Sequence, residues 1–216
     1  MLISNLRKLC ILVFSVILFR CATTNYYTAQ TLDQGQTVLT PGVDNLLLIV
    51  DNEGIIKKDF SFSPSLGIAT GLPFRFETGI RAYFPYVLEA NLRQQINPRT
   101  FKHFDISING HMGVFISNEL RSLSDPYFKY GLTLSKETGS VQPFISYYLN
   151  TNYAFKNETE KAINYSIVCF GIAFKHNQDL VIPEFNYYKS ANGIKGILSF
   201  GIGIRACLRK KKTNGG

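Results

Sequence analysis

The sequence holds no tryptophan, two methionines, three histidines and four cysteines in 216 residues. Charged residues make up only 18% of it, and a single long apolar run occurs, at the N-terminus. Each shortage excludes something. A polytopic helical membrane protein needs several apolar runs of roughly 20 residues. Cysteines with no CxxC pair and no Cys/His cluster support neither a metal site nor a metal cofactor. The glycines make no GxGxxG between a strand and a helix, so nucleotide binding has no support, and no cofactor is expected. No 3.6-residue periodicity organises the chain after the leader. Disorder is excluded by what is present: 17 Phe and 12 Tyr supply too much apolar surface for a solvated chain.

The leader is legible. Met1–Lys8 carries Arg7 and Lys8 and no acid, and Cys10–Phe19 is apolar except for Ser15. A basic start followed by a short apolar run reads as a secretory signal peptide over residues 1–20. The run is too short to cross a bilayer as a helix. Leu18-Phe19-Arg20-Cys21 resembles the lipobox of bacterial lipoproteins, with Arg20 standing where that pattern has a small residue. The resemblance implies lipidation, palmitate included, at Cys21. Under the alternative, an uncleaved leader or a cleavage farther downstream, Cys21 is a plain thiol. Residues 21–36 then read as a lipidated N-terminus and polar linker. Loss of Arg7, Lys8 and Arg20 with the leader lowers the formal charge from +8 to +5. Four of those charges fall together in Arg209–Lys212, within a basic tail over residues 209–216, so the body is close to neutral. Nucleic acid is a poor partner for such a secreted chain.

From Thr37 to Leu208 the chain alternates. Phe76, Ile80, Ala82 and Phe84 oppose Arg75, Glu77, Gly79, Arg81 and Tyr83. Leu88, Ala90 and Leu92 oppose Glu89, Asn91 and Arg93. Phe128, Tyr130, Leu132 and Leu134 oppose Lys129, Gly131, Thr133 and Ser135. Period two is the mark of a β-strand. About ten such runs start near Thr37, Phe60, Phe74, Val87, Phe104, Tyr127, Val141, Ala162, Asp179 and Ile197. A bend instead of a turn at Pro85 lowers the count, and eight strands is the alternative. The runs are about 9–11 residues long, the length a tilted transmembrane strand requires.

Alternation does not say which face points outward. Three features favour a membrane barrel, with the polar face inside, over a soluble β-domain. The polar faces are rich in glycine (Gly67, Gly79, Gly113, Gly131, Gly171, Gly201 and Gly203), which weakens a solvated strand but suits a narrow lumen. Their charges have both signs, and Arg75, Glu77, Arg81, Glu89 and Arg93 read as an enclosed network of paired ions. Phe84, Tyr86, Tyr127, Phe128, Phe174 and Tyr188 lie near strand ends, where interfacial girdles form. With an even strand count both termini lie on the periplasmic side. Asp51–Asp59, Pro85, Asn118–Pro126, Thr151–Lys161 and Lys189–Gly196 are then the outer connections.

The order of lipobox-like cysteine, polar linker and short glycine-bearing strands resembles small bacterial outer-membrane β-barrel proteins, as does Gly79–Gln95 (GIRAYFPYVLEANLRQQ). The resemblance spans about Thr37–Leu208. It implies an all-β, antiparallel up-and-down transmembrane barrel of about ten strands, with outer-membrane lipid and the outer-membrane insertion machinery as partners. Catalytic candidates are thin. His103 and His176 fall at turns, and His111 lies on a polar face. Glu77 and Glu89 form an acid pair, but with three arginines around them they read as a salt-bridged plug. No enzyme activity is expected. The function that follows is an outer-membrane barrel with a structural or surface-interaction role and a mostly plugged lumen. The alternatives are a small pore or lipid-handling barrel, and a soluble periplasmic lipoprotein with a calyx for an apolar ligand. Cys169 and Cys207 are expected as two thiols with a strand between them.

Overall fold

The computed structural model describes residues 25–50, 56–84, 87–97, 104–116, 123–156, 159–190 and 196–209. The leader, Cys21, Tyr86, His103 and the tail beyond Arg209 lie outside the described residues.

Ten strands account for most of the described residues. They are β1 (Thr37–Val50), β2 (Ile56–Leu72), β3 (Phe76–Tyr83), β4 (Val87–Gln95), β5 (Asp105–Ile116), β6 (Leu123–Ser135), β7 (Val141–Lys156), β8 (Thr159–His176), β9 (Asp179–Ser190) and β10 (Gly196–Arg209). Each pairs antiparallel with its neighbours in sequence, and β1 pairs with β10, for example Gly42 opposite Gly203. The sheet therefore closes on itself as an up-and-down barrel of ten strands and leaves no edge exposed. We call the end that carries Thr37, Arg209 and the even-to-odd turns the near mouth, and the opposite end the far mouth.

Period-two patterning places the strands but not all of their ends. Pro73–Arg75 is a 3-10 turn rather than the start of β3. Proline fixes one backbone angle there, and Phe74 and Arg75 take left-handed conformations that a strand cannot continue. Phe74 consequently projects from the turn, 87% exposed. The β7–β8 hairpin runs on to Lys156 and Thr159, so most of the expected Thr151–Lys161 connection is strand. In β6 the register shifts where Pro126, which has no N–H to give, faces Val114.

The two faces of the wall are reversed relative to a soluble domain. Ile80 is 57% exposed while Arg81 beside it is 1% exposed. Glu77, Glu89, Arg93, Asn109, Thr133, Glu184 and Asn186 are buried, and Leu92, Ile108, Leu132, Phe170, Phe185 and Ile202 are outside. Among the described residues 29 large apolar or aromatic side chains are exposed. Burying one such side chain is worth about 1.5–3 kcal/mol. Leaving so many half in water forfeits tens of kcal/mol, more than the roughly 5–15 kcal/mol net stability of a whole domain. The outer face therefore needs an apolar solvent. Inside, the described residues form only small apolar islands, such as Tyr83, Val87 and Tyr127 towards the far mouth and Leu32, Val38 and Ala69 at the near mouth.

Candidate functional site

The lumen is where the chemistry lies. Its wall carries two acid-centred clusters. Glu77 on β3 pairs with Arg93 on β4 at 3.0 Å and with Arg205 on β10 at 2.5 Å. Glu89 on β4 meets His111 Nδ1 on β5 at 3.0 Å and Lys129 on β6 at 3.2 Å, and accepts the Tyr127 hydroxyl at 2.7 Å. All of these side chains are buried. An enclosed ion survives only with a partner, and each acid here has at least two. The clusters form because neighbouring strands put opposite charges in register, Glu77 facing Arg93 and Arg81 facing Glu89, while the facing pair His111 and Lys129 share Glu89 as their acid.

The second component of the lumen is the N-terminal segment. Residues 25–36, read from the sequence as a linker, run inside the barrel. Asn25, Tyr26, Tyr27, Thr28 and Ala29 are buried. The segment makes no strand. Its backbone is held by side chains of the wall. Glu184 accepts the N–H groups of Asn25 and Tyr26, one on each oxygen, both at 2.8 Å. Ser135 accepts from Ala29 N–H at 3.0 Å, and Glu77 from Leu32 N–H at 3.0 Å. Arg81 donates to Asn25 O at 3.0 Å, and Arg93 to Thr28 O. Buried backbone polar groups must find partners, and here side chains supply what a ladder supplies elsewhere.

The order of these contacts sets the direction of the segment. Leu32 lies at Glu77, one residue inside the near end of β3. Asn25 lies at Lys129, in the middle of β6, whose Nζ donates to its side chain at 2.7 Å. The segment thus climbs from the near mouth to mid-barrel as it is followed back towards the N-terminus. Tyr26 and Tyr27 are its anchors. The Tyr26 hydroxyl donates to Asp44 at 2.5 Å, and the Arg81 guanidinium lies 5.1 Å from the ring centre. Tyr27 accepts from the Asn91 amide at 2.9 Å and is approached by Arg93 at 4.5 Å and Arg205 at 5.4 Å. Cation–π contacts of this kind gain strength where water is excluded.

The lumen glycines make space for bulky neighbours. Gly67 faces Arg81, Gly113 faces Tyr127, Gly131 faces Tyr148 and Gly171 faces Phe144 across the strand pairs. A Cβ at any of them would collide with that partner. Gly42 and Gly203 differ. They face each other across β1 and β10, and a Cβ on either would lie 2.5 Å from the Tyr26 ring. This glycine pair forms the bed of the tyrosine.

Of the five expected network residues, Glu77, Arg81, Glu89 and Arg93 line the lumen. Arg75 does not; it sits in the Pro73–Arg75 turn at the near mouth and donates to Asn97 O. Two expected girdle aromatics also change sides. Tyr127 and Tyr188 are buried in the lumen, whereas Phe84, Phe128 and Phe174 are outside. Their positions follow from strict alternation: Tyr127 shares a face with Lys129, and Tyr188 with Glu184. Sequence reading did not single out Asp44, Lys129, Glu184 or Arg205. Alternation held a signal: Lys129 and Arg205 share parity with the small and polar residues of their strands, and a charge such as Glu184 on a mixed face must still point inward. Ile182, Glu184, Asn186 and Tyr188 form such a mixed face. His111 Nε2 has no hydrogen-bond partner, and no group of three or more metal-ligating side chains occurs among the described residues. Cys169 is buried and Cys207 half-buried, with β9 between their strands.

At the near mouth Glu137, in the turn after β6, accepts hydrogen bonds from Gln30 at 2.9 Å and from Lys175 at 2.9 Å. Gln30 first and then Lys175 hold its carboxyl below the ordinary range for glutamate.

No protein-family model matches the chain, and no curated protein matches it. Among solved structures it is similar to the N-terminal β-barrel domain of Pseudomonas aeruginosa OprF, at 7% identity over 80% of this chain and 98% of that one, with a TM-score of 0.37. It is similar to Ail, the attachment invasion locus protein of Yersinia pestis, in complex with the heparin analogue sucrose octasulfate. There the identity is 13%, the coverage 80% of this chain and 99% of that one, and the TM-score 0.38. It is also similar to the outer membrane protease OmpT from Escherichia coli, at 9% identity, 84% and 100% coverage and a TM-score of 0.31.

Proposed function

We propose that this protein is a β-barrel of a bacterial outer membrane whose own N-terminal segment closes its lumen, and that it acts through its outer rim and surface in a structural or adhesive role. The observation that carries this reading is the pairing of a reversed wall with a filled interior. An apolar outer face in a closed barrel calls for lipid. A lumen filled by buried Glu77, Glu89, Arg81, Arg93, Arg205 and Lys129 and by a peptide segment favours a closed barrel over an open channel. This disfavours the small-pore alternative. The soluble calyx is disfavoured because the face it would need inside is outside. We assign no enzymatic reaction, since Glu89 and His111 are engaged with each other and with Lys129.

The near mouth, which receives the N-terminal segment, is assigned to the periplasm, with insertion by the outer-membrane machinery. A lipid on Cys21 meets a geometric constraint. Asn25 sits at mid-lumen, and four peptide steps reach at most about 14 Å. A lipid anchored in the periplasmic leaflet would therefore need the segment to leave the barrel. Lipid labelling of the wild type against Cys21→Ala decides whether that cysteine is modified.

The test of the function combines two readouts on full-length protein. A heat-dependent shift in gel mobility with β-rich circular dichroism in detergent is expected for a membrane barrel. In planar bilayers the same protein is expected to show no steady open-channel current. Solubility without detergent, or a steady ohmic current, would contradict the reading.

A further inference from the structure

The lumen wall treats residues 25–36 as a ligand rather than as a part of itself. The barrel ladder is complete without them, since β1 to β10 pair around the full circle. Beyond its junction with Gly71 at the near end of β2, the segment adds no backbone hydrogen bond to any strand. Its backbone–backbone bonds are confined to the entry turn, where Gly35 N–H reaches Gly71 O, Gly71 N–H reaches Gln36 O, and Gln36 N–H reaches Asp33 O. Deeper contacts run mainly from wall side chains to the segment backbone or to its tyrosines, with Lys129 to the Asn25 side chain and Gln30 to Glu137 besides. The tether is slight. Gly35 has a positive φ with open space around it, and Gln34 and Gly35 are exposed. A polar cavity of about 420 Å³ lies beside the segment at the near mouth, bounded by Gln30, Asp33, Gln95, Asp105, Lys175 and Arg205 among others.

The recognition elements are those a peptide site needs. Glu184 clamps two successive N–H groups. The Gly42–Gly203 bed takes the tyrosine ring, and Asp44 at its end accepts the tyrosine hydroxyl. The path does not stop at Asn25. Asn186, one row farther up β9 than Glu184 and 1% exposed, has neither amide atom hydrogen-bonded. A buried lumen amide of this kind has donor and acceptor capacity to spare for a further polar group, such as a peptide backbone.

We propose that the lumen is a binding site for an extended, tyrosine-bearing polypeptide strand, and that residues 25–36 are its built-in and displaceable occupant. This deepens the sealed-barrel reading and rests on it. The same site takes a peptide of that class supplied in trans once the built-in segment is out.

Two measurements test it. In the first, amide hydrogen exchange of the unmodified full-length protein in detergent is followed. The amides of Asn25, Tyr26, Ala29 and Leu32 are expected to exchange together, at least about tenfold faster than amides in the middle of β1 and β10. Exchange no faster than the ladder would make the segment a permanent part of the wall and overturn the proposal. In the second, a protease site is placed across Gln34–Gly35 and cut after folding. A fluorescent peptide with the sequence of residues 25–34 is expected to replace the cut fragment saturably. The Tyr26→Phe peptide is expected to bind about tenfold or more weakly, as loss of a charge-assisted hydrogen bond implies. No entry, or equal entry of a scrambled peptide, would overturn the proposal. Bilayer current of the uncut protein reads the sealed-lumen account separately. A steady current there sinks that account whatever the exchange shows.

Discussion

The barrel wall and the segment inside it solve one problem in two ways. Both must satisfy buried backbone N–H and C=O groups. The wall does so with ladders, which depend on spacing and are indifferent to side chains. The segment does so with Glu184, Ser135, Glu77, Arg81 and Arg93, each a particular side chain at a particular position. The wall is therefore specified by a pattern and the segment by particular residues. That difference says where substitutions should hurt, and the experiments below either sharpen it or break it.

The largest effect is expected at Glu77. Glu77→Leu strands Arg93 and Arg205 and leaves the Leu32 N–H without its acceptor. Removing one partner of a buried charge group typically costs about 3–5 kcal/mol, read from urea unfolding in detergent. The double variant Glu77→Leu/Arg93→Leu is expected to lose less than the sum of the single changes. Full additivity would mean that the two do not act as a unit.

The outer face is expected to respond to polarity and not to shape. Ile202→Arg is expected to cost about 2–4 kcal/mol in lipid if that position lies near the bilayer midplane, whereas Ile202→Val is expected to cost less than about 1 kcal/mol, because lipid fills the space of the one methylene removed. Gly42→Val tests the inner face at the same strand pair, because it drives a side chain into the Tyr26 ring. Overpacking of this kind costs about 1–3 kcal/mol. Tyr26→Ala in the same chain is expected to remove most of the penalty. An unchanged penalty would mean that the glycine pair serves the strands and not the tyrosine.

The smallest effect is expected at Glu137, which is partly exposed. Its carboxyl is held below the ordinary value by Gln30 and Lys175. A lowered folded value stabilises the native state above the unfolded value, and that contribution fades as pH falls through the folded one. Glu137→Gln is expected to shift the unfolding midpoint slightly at pH 7, with the two proteins converging below about pH 4.5. A constant gap across that range would remove the ionic part of the explanation.

Much of this fold could be read from period two alone. Thr37, Val87, Val141 and Asp179 start strands where alternation places them, and Glu77, Arg81, Glu89 and Arg93 line the lumen as their shared face implies. Arg75 was misplaced because alternation runs unbroken through Phe74–Phe84, while the proline before it sets a turn. Tyr127 and Tyr188 were misplaced because closeness to a strand end was weighed above the strand's own parity. The N-terminal segment was illegible for a deeper reason. It has no period, and its partners are single side chains on six different strands. Only the adjacent Tyr26 and Tyr27 in an otherwise polar stretch, together with glycines in register on β1 and β10, hinted at it. That second clue needs the β1–β10 pairing, which no local pattern supplies.

The most direct test of the reversed wall is oxygen accessibility of spin labels placed singly along β6 in lipid vesicles. Labels at positions 128, 130, 132 and 134 are expected to collide freely with oxygen dissolved in the lipid. Labels at 133 and 135 are expected to be shielded, giving a clean period of two. The opposite phase, or no period at all, would place the apolar face inside and contradict the membrane-barrel account.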